Sequence, residues 1–439
     1  MPIGAPLCIL SLSALALVLP ALHAQDTPSA LLNKQLPKWV QFSFDHRFRL
    51  EGYSALRYDQ NNNDRWLLNR FRANVALHPT SWLSFAAQGQ DSRVFFKTNP
   101  SGQNTYTNRT DLRLLFTDIG KTDRGKIALR LGRQELAYGD ERVLGAANWG
   151  NVARTFDAAK LILRSGPFQL DLVSAAVVTP LANGLSHHLQ GNNIHFAYGK
   201  WNNPIPQSTL EPYFIWRVGK GAGDSLKGII HQDRRVAGIR FLGKLPAHWD
   251  YTTEWIFQAG NVNGPFGYES IRAFAQHTVF RHSFENVRFH PRVLGEFNSA
   301  SGDRNPNDGK SGTFDQLFPT PHEKYGLADQ VGWQNIQHYS GGADITPYKG
   351  LTLKMLVHDW YLAQARDGVY TAGGNLLFRD TTGNSGRHVG EELDFVAQYS
   401  FGPHYVGTGY GHLFPGHFLE KQSRGVGLNY IYLNVGYRF

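Results

Sequence analysis

The sequence predicts an all-β fold: a transmembrane antiparallel β-barrel of about eighteen strands, with short periplasmic turns and long extracellular loops. Three observations carry this. Apolar and polar residues alternate with a period of two along most of the chain, connections between the alternating segments are short and long by turns, and the N-terminus has the build of a secretory signal. Composition agrees. Of 439 residues, 41% are hydrophobic and 13% aromatic, but only 18% are charged, with a mean hydropathy of -0.36. That is too aromatic for a disordered chain and too poor in charge for an ordinary soluble enzyme of this size. The single cysteine, Cys8, lies in the first apolar stretch. Disulfides, Cys-based zinc sites and thiol nucleophiles are therefore excluded from the rest of the chain.

From the N-terminus, Leu7 to Leu19 is an apolar run closed by Pro20 and by Ala21-Leu22-His23-Ala24, with polar Gln25-Asp26 after it. Small residues at that point read as a cleavage site, giving a signal peptide over 1–24, a periplasmic linker over 25–38 and a barrel over 39–439. No later stretch has the roughly 18 uncharged apolar residues that a membrane-spanning helix needs.

The first strand sets the grammar: Val40, Phe42, Phe44, His46, Phe48 and Leu50 alternate with Gln41, Ser43, Asp45, Arg47, Arg49 and Glu51. Reading on, strands are expected near 39–53, 65–78, 82–96, 109–119, 125–135, 156–165, 168–178, 192–201, 209–218, 233–243, 248–260, 269–281, 286–297, 333–345, 350–365, 389–400, 405–413 and 427–439. Even-to-odd connections such as Gly166-Pro167 and 401–404 are short. Odd-to-even ones such as 136–155, 298–332 and 366–388 are long, which is the plan of an outer-membrane barrel. In the last strand Ile431, Leu433, Val435, Tyr437 and Phe439 form one apolar row. A terminal Phe of this kind resembles the signal read by the barrel-assembly machinery.

A barrel of this size encloses an aqueous channel, so its inward rows decide what passes. By parity Arg47, Arg49, Arg70, Arg72, Arg113, Arg130, Arg288 and Arg292 point inward, as do Arg240 and Arg272 on strands that alternate poorly. Of 44 basic residues 29 are Arg and 15 Lys, and the formal net charge is +9. Guanidinium offers a two-pronged match to carboxylate or phosphate, which favours an anionic permeant. The same arginines could instead pair with inward acids to stiffen a wet wall. With no long periplasmic turn, loop 136–155 is the expected constriction.

Two loops carry recognisable text. Leu131-Gly132-Arg133-Gln134-Glu135-Leu136-Ala137-Tyr138-Gly139-Asp140-Glu141-Arg142 continues through Asn148-Trp149-Gly150-Asn151 to Arg154-Thr155-Phe156-Asp157-Ala158. The second runs from Ser299-Ala300-Ser301-Gly302-Asp303 to Lys310, followed by Phe314-Asp315 and Leu317-Phe318-Pro319. Both resemble the alginate-export family of bacterial outer-membrane porins. The resemblance implies an eighteen-stranded barrel that exports an acidic polysaccharide through an arginine-lined constriction. It carries over Arg133, Arg142, Arg154 and Asp157, with Arg130 on the strand before them. Family members that act as dedicated exporters are expected to carry a periplasmic plug, whereas every periplasmic turn read here is short.

The cluster Asp303, Asn305, Asn307 and Asp308 supplies the hard oxygens of a calcium site, the one cofactor the sequence raises. It departs from the calcium-loop pattern, with Asp308 where the turn glycine should be and no Glu at the twelfth place. A polar loop of Asn-Pro and Asp-Gly turns fits the spacing better. His187-His188 and Glu391-Glu392 are the tight titratable pairs, but neither has the nucleophile or metal-ligand spacing of an enzyme site. The expected function is an outer-membrane channel for an anionic polysaccharide or its oligomers. The alternatives are a general diffusion porin or small-anion channel and, more distantly, an outer-membrane hydrolase. Expected partners are outer-membrane lipid and lipopolysaccharide, the polysaccharide itself and the assembly machinery, with no nucleic acid and no catalytic residues.

Overall fold

The structure, a computed structural model, describes residues 27–98, 103–219, 231–264 and 267–439. The expected signal segment over 1–24 lies outside the described residues. Where a linker is expected at 25–38, the chain forms a short helix, α1 (Pro28–Gln35), capped by the Thr27 hydroxyl, which accepts from the Ala30 amide at 3.3 Å. Asn33 then pairs with Phe42 as a strand would: its amide nitrogen donates to the Phe42 carbonyl at 2.9 Å and its oxygen accepts from the Phe42 amide at 2.8 Å. The side chain thereby pins the helix to the start of the barrel.

Eighteen antiparallel strands make the wall: β1 (Val40–Ser54), β2 (Asp64–Leu77), β3 (Leu83–Phe95), β4 (Asn108–Ile119), β5 (Ile127–Gln134), β6 (Phe156–Ser165), β7 (Phe168–Thr179), β8 (His187–Asn202), β9 (Ser208–Gly219), β10 (Gln232–Leu245), β11 (Trp249–Gly264), β12 (Gly267–Ser283), β13 (Arg292–Ala300), β14 (Ile336–Tyr348), β15 (Leu351–Leu362), β16 (His388–Phe401), β17 (His404–Pro415) and β18 (Leu428–Arg438). Each pairs with its neighbours in sequence, and β18 returns to β1, with Asp45 opposite Arg438 and Ser54 opposite Asn429. Closure leaves no open edge, which is what a sheet in hydrocarbon requires. Phe439 completes it: its amide donates to the Phe44 carbonyl at 2.8 Å, its carbonyl accepts from the Phe44 amide, and the two rings stack at 5.2 Å. No helix among the described residues is long and apolar enough to span a membrane. The crossing is made by strands.

The alternation is inverted relative to a soluble protein. On β1, Phe48 and Leu50 are 42% and 49% exposed, whereas Arg47 and Arg49 are 4% and 2% exposed. The apolar row faces the bilayer and the polar row faces the lumen.

One strand differs from expectation. Residues 284–291, read as the first part of a strand over 286–297, form a periplasmic turn in which the Phe284 amide donates to the Pro291 carbonyl at 2.9 Å. Phe289 and His290 have φ of 70° and 46° there, and Pro291 has no N–H to give to a ladder. The wall resumes only at Arg292, so the alternation from Val287 to Phe289 is that of a turn with two exposed apolar residues.

The extracellular loops do not all stay outside. Loops 135–155 and 301–335 enter the barrel and build a packed interior around Leu144, Phe314, Phe318, Tyr325 and Trp333, so this part of the expected aqueous channel is filled by loop. Two backbone hydrogen bonds join them, from the Gly145 amide to the Phe318 carbonyl at 2.7 Å and from the Phe318 amide to the Val143 carbonyl at 2.9 Å. Glycine at 145 makes room for this junction, because a Cβ there would lie 2.3 Å from the Thr320 hydroxyl and would push it aside.

Candidate functional site

The inward rows of β1, β2 and β4 converge five guanidiniums, those of Arg47, Arg49, Arg70, Arg72 and Arg113, all buried. Arg47 stands directly opposite Arg70 across the ladder, a like-charge pairing that is unfavourable unless acceptors separate the charges. Three carboxylates help. Arg70 meets Asp45 at 3.1 Å, Arg49 meets Glu51, and Arg113 meets Glu135. Five positive charges against three negative leave a surplus of two.

The remaining acceptors come from the tip of loop 135–155. Arg47 donates to the carbonyls of Asn148, Trp149 and Gly150 at 3.2, 3.0 and 3.1 Å. Arg49 donates to the Trp149 carbonyl at 2.5 Å, Arg70 to the Asn148 carbonyl at 3.0 Å, and Arg72 to the Asn148 side-chain oxygen at 3.0 Å. Arg113 reaches this cluster through a bulge in β4, where the register against β3 shifts and both Arg113 and Leu114 turn inward.

The tip is also stacked. The Arg49 guanidinium lies 3.8 Å from the Trp149 ring centre, and the His322 ring of loop 301–335 lies 3.8 Å from it at an angle of 3°. Two groups at that distance occupy opposite faces, so Trp149 is held between the wall and the second loop. Further back, Arg154 donates to the carbonyls of Gly145, Phe318 and Pro319, and burial pushes its pKa down to about 10. Arg142 ties the same junction to the Tyr325 hydroxyl at 3.0 Å and to Glu296 at 2.8 Å. Asp140 is bound by Arg240 at 2.5 Å. Burial pushes its carboxyl up, but Arg240 and Arg142 outweigh that and hold it below its ordinary value.

Beneath the tip, on the periplasmic side, is a cavity of about 690 Å³ lined by Arg47, Arg70, Arg72, Arg113, Tyr405 and Trp149 among others, and reaching the turn at Gly402-Pro403. Arg72 Nη2 is buried and has no hydrogen-bond partner, although Arg72 itself lines this space. The arrangement can hold a carboxylate-bearing ring: cations at the wall, aromatic faces beside them.

The opposite wall is built differently. From β12 to β15 a hydrogen-bonded chain runs from His277 to Asn298 at 2.7 Å, to His338 at 2.8 Å and to His358 at 2.9 Å, and the far nitrogen of His358 lies 3.1 Å from Asp394 on β16. Asp394 and Glu392 accept from the Leu327 and Ala328 amides of loop 301–335 at 3.0 and 2.8 Å.

The other residues singled out in the sequence are dispersed. Arg130 faces inward and is clasped by Asp118 at 2.6 and 2.8 Å. Arg292 pairs with Asp344 at the periplasmic end, and Arg240 faces the lumen. Arg288 is not on a lumen row. It lies exposed in the turn over 284–291 with its guanidinium 4.5 Å from the Phe289 ring. Arg272 is exposed on the outer row of β12. Arg133 and Asp157 are also displaced from the lumen. They share the outward parity of Leu131 and Ala159, and pair at 2.7 Å at the extracellular rim, where His188 joins Asp157 at 2.9 Å. Glu391 and Glu392 point to opposite faces of β16, so they form no pair of acids. Asp303, Asn305 and Asp308 spend side-chain oxygens on the amides of Asn305, Asn307 and Lys310, as a run of Asx turns does. Loop 301–335 was not singled out as a lumen element. Its run of Phe314, Leu317, Phe318, Tyr325, Leu327, Val331 and Trp333 is the signal that it packs inside, because a solvated loop has no use for so much apolar surface.

Residues 38–431 match the model of a protein family described as alginate export. The chain belongs to the alginate export family. Among solved structures it is similar to OccK8 (OprE) of Pseudomonas aeruginosa, with a TM-score of 0.61 at 12% identity over 92% of this chain and 98% of that one. It is also similar to OccAB2 of Acinetobacter baumannii, with a TM-score of 0.60 at 11% identity over 91% and 98%. At such identities these neighbours speak for the barrel alone. No curated protein matches the sequence. This alginate export family member is an outer-membrane, porin-like channel.

Proposed function

We propose that this channel passes an anionic polysaccharide of the polyuronate type, or its oligomers, through the passage beside the arginine arc. The observation that carries the reading is the charge surplus of that arc, five guanidiniums against three carboxylates, beside a cavity that four of these arginines line. In a narrow passage walled by protein, fixed charges act over about a Debye length, roughly 8 Å at physiological salt, so groups lining the cavity dominate selectivity. The family supports a polysaccharide permeant. The Phe439 pairing suits recognition by the assembly machinery.

Planar-bilayer recordings test the reading. Reversal potentials should show anion selectivity, and oligouronates should alter the current where neutral oligosaccharides of equal length do not. A cation-selective channel indifferent to oligouronates overturns it. A second reading, a small-anion or general diffusion porin, is favoured by the periplasmic connections, the longest of which is the turn over 284–291. Anion selectivity without any oligouronate effect would select it.

A further inference from the structure

The arc holds its loop with bonds that a carboxylate makes better. Every oxygen that the tip offers to Arg47, Arg49, Arg70 and Arg72 is neutral: the carbonyls of Asn148, Trp149 and Gly150 and the side-chain oxygen of Asn148. A carboxylate can meet a guanidinium with two parallel bonds and a full opposite charge, which separate neutral oxygens do not offer. The acids nearby do not use up this preference, because Asp45 and Glu51 of the wall and Glu135 at the start of the loop leave two of the five charges unmatched. An unpartnered nitrogen, Arg72 Nη2, stays buried on a residue that lines the periplasmic cavity.

We propose that residues 148–150 are an internal stand-in for the permeant, and that a uronate carboxylate entering the periplasmic cavity displaces them from Arg47, Arg70 and Arg72 and so opens the passage. The inference rests on the anionic-permeant reading above and concerns how the same site is regulated. The geometry around the tip sets what moves. Asn151 is fixed, its side-chain nitrogen donating to the carbonyls of Asn69, Arg93 and Tyr106 at 3.2, 3.1 and 2.8 Å. Arg154 beyond it is fixed to Phe318, and on the other side Gly145 is fixed to Phe318 and the Ala147 amide donates to the Thr320 hydroxyl at 2.8 Å. The segment left to swing is therefore 148–150, and its swing draws Trp149 from between Arg49 and His322. Unstacking also releases His322, whose remaining polar tie is to Asp329 at 2.8 Å, with Glu323 at 3.6 Å. Both loops thus loosen when one ligand binds, and without ligand the tip occupies the arc and the passage is narrow.

Trp149 separates this gate from a plain binding pocket by the sign of its effect. If the tip competes with the ligand, apparent affinity is reduced by the fraction of channels whose tip is docked, and weakening the docked state strengthens binding. If Trp149 instead serves as a platform for the sugar ring, removing it weakens binding.

The experiment uses the full barrel in detergent, with trigalacturonate as probe and maltotriose as neutral control, in wild type and Trp149→Ala. Calorimetry should show trigalacturonate binding about fivefold or more tightly to Trp149→Ala than to wild type. A spin label on Asn148→Cys, in a Cys8→Ser background, should gain mobility with trigalacturonate and not with maltotriose. Equal or weaker binding to Trp149→Ala, or a label unmoved by saturating trigalacturonate, overturns the gate while leaving an anion-binding channel. If Trp149→Ala fails the heat-modifiability check for a closed barrel, the spin label decides alone. Absence of trigalacturonate binding to both proteins removes the permeant reading and the gate together, and is told apart by the wild-type titration.

Discussion

On β1, β2 and β4 the lumen wall donates: arginines of β1 and β2 reach out to carbonyl oxygens of loop 135–155, and Arg113 of β4 to its Glu135 side chain. On β16 it accepts: Asp394 and Glu392 take amide hydrogens of loop 301–335, backed by a chain of histidines on β12, β14 and β15. Both walls satisfy the backbone of an inserted loop, which any buried segment requires. They leave different residues of charge. The donating wall keeps a surplus of positive charge beside open space, whereas the accepting wall spends its carboxylates on amides and imidazoles. The same task of holding a loop therefore yields an anion-binding surface on one side and a structural support on the other.

The largest expected effect comes from reversing the donating wall. Arg70→Glu with Arg72→Glu turns a surplus of two positive charges into a deficit of two, three guanidiniums facing five carboxylates. The reversal potential should change sign toward cations, and conductance should rise as the tip loses its donors. A channel with unchanged selectivity would remove the functional contrast between the walls.

A matched change on the accepting wall should act on stability and leave selectivity in place. Asp394→Ala strips the Leu327 amide of its acceptor and removes the carboxylate beside His358. A buried group left unpaired costs about 1–3 kcal/mol, to be read as a lower unfolding temperature of the barrel in detergent. If instead the selectivity inverts, the accepting wall shares the passage.

Acid should loosen the second loop. Burial pushes the Glu323 carboxyl up, but Lys354 and His322 outweigh burial and hold it below its ordinary 4.5. A carboxylate lowered on folding contributes stability that is present above 4.5 and is lost as pH falls through the lowered value. Unfolding temperature should thus drop in wild type below about pH 4.5. The drop should be shallower in Lys354→Met, and an identical slope in both would discount this tie.

The smallest effect is expected at the rim. Arg133 and Asp157 pair away from the lumen with solvent access. Asp157→Asn should therefore cost no more than about 1 kcal/mol and leave selectivity untouched. A selectivity change there would show that the passage extends to the rim.

What the sequence by itself determined was the wall. The side that a strand residue faces is set by its immediate neighbours, so Arg47, Arg49, Arg70, Arg72 and Arg130 could be placed inward from parity alone. The rhythm of turns and loops then followed, as did the apolar row ending in Phe439. Parity failed where local geometry interrupts it. Turn residues in the left-handed region removed Arg288 from the wall, while Arg133, carried over from the family resemblance and not from parity, follows the outward parity of Leu131. What only the tertiary structure decided was which loops enter the lumen and what the arginines do there. The bonds from Arg47 to Asn148 and from Arg154 to Phe318 join residues more than a hundred positions apart. Such contacts depend on barrel closure and on two loops packing together, which no short window of sequence records.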